Sequence, residues 1–174
     1  ASGTSDWRDN ASVANLAWQP SGGPADSSYV STSYNFLDLA PGVPFPGNSV
    51  NLFRAQDEWN SSDNAFVGDW IVGGVTEFSF MVRHNASTSL NVFTRFSTAN
   101  NFPAWSGVEF TPIAPDTWTL VTIDIALTNP GLFYEGPPGA GQAQFNAVFG
   151  GIGHVQIGAF AGSPYVDGGG APVL

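Results

Sequence analysis

Between Thr76 and Arg83 the chain alternates, with Phe78, Phe80 and Val82 on one side and Glu77, Ser79, Met81 and Arg83 on the other. That two-residue period is the pattern of a strand with one buried face. A second run, Leu90 to Ser97, follows after a short polar connection, His84 to Ser89, that is poor in helix formers. The two runs therefore predict an antiparallel hairpin. Trp118 to Ile125 repeats the alternation with Val121, Ile123 and Ile125 inward, and Gly153 to Phe160 does so with Val155, Ile157 and Ala159. In Trp105 to Thr111, Trp105, Gly107, Glu109 and Thr111 oppose Ser106, Val108 and Phe110. Ser49 to Arg54 predicts a strand with Val50, Leu52 and Arg54 on one face.

Other stretches are less regular. Short strands are predicted near Asn15 to Trp18 and Ser28 to Tyr34, both as edge strands. Pro41, Pro44 and Pro46 exclude a central strand between Leu39 and Gly47, because each proline lacks a ladder donor. Gln144 to Phe149 fits either a short strand or one helical turn, since Phe145, Val148 and Phe149 also match helical spacing. Asn129 to Gly141 reads as a Gly/Pro loop, long enough to be functional.

Composition points the same way. In 174 residues there are 21 Gly, 13 Pro, 14 Phe and 6 Trp, but a single Met and no Lys. Frequent turn residues between short apolar runs predict an all-β protein, a single antiparallel jelly-roll-like β-sandwich over residues 1–167. Residues 1–20 are expected to form an edge strand or one exchanged with a neighbouring copy, and 168–174 a flexible Gly-rich tail. The small polar start, Ala1 to Ser5, resembles the residues after a signal-peptide cleavage site. The formal charge of −10 argues against nucleic acid, which needs clustered cations, and against an anionic membrane surface. Without cysteine, disulfides and thiolate metal sites are excluded, and no apolar run is long enough to cross a bilayer as a helix.

The segments AFVGDWIVGGVTEFSFMVR, WSGVEF, PDTWTLVTIDI and FGGIGHVQIGAF, with the late YVDG, resemble the jelly-roll sandwiches of laminin domain IV and related galactose-binding-like modules. The resemblance spans residues 64–167 and implies a scaffold; it also implies that Asp167 helps to hold a structural calcium. The glycine run before the Ala-Pro-Val-Leu ending, in a Lys-free and Cys-free chain, resembles the mature part of exosortase-sorted (PEP-CTERM type) bacterial proteins. That resemblance implies export to a cell surface or biofilm matrix.

Three chemistries are set against plainer alternatives. Asp57, Glu58, Asp63, Asn64 and Asp69 supply hard oxygen donors around Trp59, so a calcium site built from Asp57, Asp63, Asp69 and Asp167 stands beside a merely solvated loop. The spacing is not that of an EF-hand. Trp105 with Arg95, Asn91 and Gln156 would give a polysaccharide an aromatic plate and planar hydrogen-bonding groups. The alternative is an ordinary polar sheet face on which Arg95 pairs with Glu109. Two isolated histidines, His84 and His154, with no nucleophile elbow or zinc helix, argue against an enzyme. The leading expectation is an exported structural or adhesive protein that associates with copies of itself into filaments by strand donation, with carbohydrate binding as the alternative.

Overall fold

The computed structural model describes residues 3–9, 16–34, 49–87, 89–137 and 139–160. Along these residues run β1 (Ala17–Gln19), β2 (Tyr29–Ser31), β3 (Ser49–Gln56), β4 (Glu77–Val82), β5 (Leu90–Ser97), β6 (Ala104–Ile113), β7 (Thr119–Asp124), β8 (Leu132–Tyr134), α1 (Gln142–Phe149) and β9 (His154–Phe160). The protein is an all-β antiparallel sandwich. Its main layer is a five-stranded sheet in the order β3-β9-β5-β6-β8, and its second layer is the two-stranded pair β4-β7. β1 and β2 form a separate pair, held near the start of β7 by the Tyr29–Trp118 ring contact and by Trp118 Nε1 donating to the Gly22 carbonyl at 3.0 Å.

The core lies between the two layers. Phe78 of β4 meets Phe96 of β5 edge-on with ring centroids 5.6 Å apart, and Trp70 and Phe149 pack on the same ring. Each such aromatic removes a large apolar area from water, so this cluster carries most of the hydrophobic stabilisation. α1 closes one side of it through Phe145, Val148 and Phe149, the i, i+3, i+4 stripe of a helix. Gln144 Oε1 accepts from the Gly141 N–H at 3.0 Å, so a reaching side chain secures the helix entrance. Gly150 and Gly151 follow the last turn.

Several sequence expectations change. β4 does not pair with β5: it pairs with β7, Phe80 opposite Val121, while β5 pairs with β6 and β9. The connection between them crosses from one layer to the other. β5 reads as a central strand in hindsight, because Val92 and Phe96 face the core while Phe93 joins Val108 and Phe160 on the opposite face. The Gly/Pro loop contains β8, whose Leu132 and Tyr134 pack on the core. In β3 the register shifts between Asn51 and Phe53, which sets Arg54 opposite Gln156 instead of on the face of Val50, itself opposite Ala159. The choice left open at Gln144 to Phe149 resolves as helix.

The N-terminal segment is seated on its own chain. Arg8 bridges Arg54 through both backbone N–H groups, at 3.0 and 2.9 Å, and Trp7 Nε1 donates to Ser62 Oγ at 2.9 Å. Together with the β1–β2 pair, these contacts join Trp7, Arg8 and residues 17–19 to other parts of the same chain.

Candidate metal centre

The five-stranded sheet has a second face, turned away from the core. Strand register places Gln56, His154 and Ser97 in one row across it, and Arg54, Gln156, Arg95 and Ser106 in the next. Most of these polar side chains are buried. Loops cover them instead of a second sheet. From the β5–β6 turn, Asn101 takes two bonds from Arg95, at its side-chain and backbone oxygens, both 2.7 Å, and Phe102 lies under the guanidinium at 5.0 Å. From beyond β8, Glu135 Oε2 accepts from Arg95 Nε at 2.7 Å, and Ser106 donates to the same carboxylate. Each of the three Arg95 guanidinium nitrogens thus donates to a group within the protein.

At the end of this face the chain leaves β3 in tight turns, with Asn60, Ser62, Asp63 and Asn64 at positive φ. Asn and Asp tolerate that left-handed backbone well; Ser62 is the less natural occupant. Asp57 N donates to the Gly153 carbonyl at 3.0 Å, which tethers the turn beside the start of β9. Asp57 and Glu58 are thereby brought against His154, 96 residues further along. His154 Nε2 lies 2.9 Å from Glu58 Oε2 and 3.4 Å from Asp57 Oδ1, and the donor atoms of all three residues lie within 4.8 Å of one another.

Gln56 completes the arrangement. Its amide satisfies both neighbours when the nitrogen donates to Glu58 Oε1 at 3.0 Å and the oxygen accepts from Arg54 Nη2 at 2.9 Å. The same amide lies 3.4 Å from His154 Nδ1. Arg54 is held below the usual arginine range, first by burial and then by the nearby Arg95 charge, with Glu58 and Asp9 opposing both. Trp59 lies beneath two guanidinium groups, Arg8 at 4.3 Å and Arg54 at 5.6 Å from the ring centroid.

No protein-family model, curated protein or solved structure matches this chain.

Of the residues expected to hold calcium, the structure brings Asp57 into this cluster. Asp63 is exposed and accepts from Asn60 Nδ2 at 3.4 Å. Asp69 caps a turn, accepting from the Val72 N–H at 2.9 Å. Neither belongs to a group of converging ligands among the described residues, and Asp167 lies outside them. Of the residues expected to hold a sugar, Arg95, Asn91 and Gln156 do share one face. Trp105 does not: it is 4% exposed, sits opposite Phe96 on the core side and packs on Tyr134 and Phe145. An indole so enclosed offers no plate to a polymer. The expected Arg95–Glu109 pair is replaced by Arg95–Glu135, because Glu109 stands opposite Val92 and accepts from the Thr111 N–H at 2.8 Å.

Sequence reading had Asp57 and Glu58 in one acidic loop and His154 as an isolated strand residue. What it missed was their meeting. The alternation of His154 and Gln156 against Val155 and Ile157 was the available signal, since it placed the histidine on the polar face.

Proposed function

We propose that the protein is an exported, non-catalytic structural subunit of a cell surface or extracellular matrix, assembling with copies of itself through the open edges of β4 and β7. The observation that carries this reading is the second layer of the sandwich. It holds two strands, and among the described residues neither outer edge has a partner. Open edges present unpaired N–H and C=O groups and template further pairing unless something blocks them. On the outer face Met81 stands opposite Leu120, 41% and 62% exposed, so the edges are not guarded by lysine or proline.

Charge selects a partner for the β4 edge. Glu77 and Arg83 fall on the same outer face at opposite ends of the strand run. An antiparallel pairing of β4 with β4 of a second copy, centred on Phe80, sets Glu77 of each chain across from Arg83 of the other. That contact is isologous; the β7 edge then offers a second one, and alternating the two builds a filament that does not close. The histidines support a structural role for at least one ring: Ala86 N–H donates to His84 Nδ1 and His84 Nε2 binds the Ile113 carbonyl at 2.8 Å. Export is the location with which the Lys-free, Cys-free and acidic composition is compatible.

Charge reversal tests the contact. By light scattering and negative-stain microscopy, Glu77→Arg and Arg83→Glu are each expected to weaken assembly, and the double variant to restore it. A wild-type chain that stays monomeric at every concentration would remove the proposal.

A further inference from the structure

We propose that Asp57, Glu58 and His154 bind a divalent transition-metal ion of the zinc class. The donor set is one imidazole nitrogen and two carboxylate oxygens, a mixture that suits borderline metals; calcium takes six to eight oxygens. The spacing agrees. Ligands bonded at about 2.1 Å and separated by about 90–110° at the metal lie roughly 3.0–3.5 Å apart. His154 Nε2 is 2.9 Å from Glu58 Oε2 and 3.4 Å from Asp57 Oδ1.

The state of the imidazole is a separate indication. With the Gln56 oxygen turned toward Arg54 Nη2, the same oxygen is the group facing His154 Nδ1. A hydrogen on Nδ1 suits that oxygen, and Nε2 is the nitrogen directed at the two carboxylates. Two carboxylates converging on one ring nitrogen favour a cation at that point, a metal ion or a proton. An oxygen that accepts from the far ring nitrogen orients a metal-bound histidine, and the Gln56 oxygen is placed to do so while its nitrogen holds Glu58.

A third observation comes from the neighbouring strand. Ser97 stands directly opposite His154 on the same face, fully buried, and its Oγ has no hydrogen-bond partner among the described residues. Three protein ligands leave room on the ion for water, and such a water would satisfy this hydroxyl.

The alternative cation is a proton, making His154 an imidazolium paired with Glu58. The two are separated by titrating the chelator-treated full chain with zinc chloride and cobalt chloride. The expected results are a melting temperature raised by several degrees with excess zinc, and a visible cobalt absorption of low coordination number. The side chains of Asp57 and Glu58 are 31% and 51% exposed, and the zinc response of Asp57→Asn and of Glu58→Gln is read against each variant's own metal-free melting temperature. Both variants should lose the zinc shift and the cobalt band. The proposal is overturned if wild-type protein binds neither ion, if Glu58→Gln keeps both signals, or if ¹⁵N spectra show His154 doubly protonated in excess zinc.

Discussion

Arg95 makes three side-chain hydrogen bonds on the polar face, and Glu135 is its charged partner among the described residues. Removing one member of a buried pair leaves the other charge uncompensated, which typically costs about 3–5 kcal/mol. Glu135→Ala is therefore expected to lower the stability measured by urea unfolding by about 3 kcal/mol or more. Two glycines give a graded comparison. A Cβ on Gly158 would sit 2.4 Å from both the Phe93 ring and the Val50 carbonyl oxygen, whereas one on Gly107 would press chiefly on the Ile123 methyl at 2.5 Å and the Thr94 hydroxyl at 2.9 Å. Side chains yield more easily than a neighbouring strand's backbone. Both alanine variants should be destabilised within the range of about 1–3 kcal/mol known for overpacking, Gly158→Ala the more so. Neither requirement is visible in the sequence, where these positions are just two glycines in strands.

At the scale of elements, the alternating strands were legible and their partners were not. Phe78, Val121 and Ile123 were assigned inward from period alone, and all three are buried. Yet β4 and β5 were joined because they are adjacent in sequence and the connection is short. Both a hairpin and a crossing between layers satisfy that pattern; what separates them is that β5 buries an aromatic on each face, Phe96 on one and Phe93 on the other. The same ambiguity misplaced Trp105: alternation put it opposite Ser106 and Val108, but Val108 and the tryptophan are both apolar, so period could not say which face was the core. Phe96 tests where the core lies. It is fully buried between Trp70, Phe78 and Phe149, so Phe96→Ala should cost about 3–5 kcal/mol. Leu120→Lys, on the outer face of β7, should change unfolding by less than about 0.5 kcal/mol.

For the whole molecule, net charge governs how copies meet. Each chain carries −10, so approaching subunits repel over roughly the Debye length, about 10 Å at moderate salt. The two exposed Glu77–Arg83 pairs choose the register, because reversing one sets like charges directly opposite each other, but as attractive pairs they offset little of that long-range repulsion. Assembly is thus expected to strengthen as sodium chloride is added, followed by light scattering. Weakening would mean that local pairs dominate over net charge. The sequence by itself determined the all-β class, the positions of most strands and the exclusion of cysteine chemistry, because these depend on local period and composition. Only the tertiary structure decided which strands pair, which face of β6 is dry, and that an acidic turn meets His154. Those are contacts between residues far apart in the chain, and their specificity arises from packing and strand register, which no local pattern encodes.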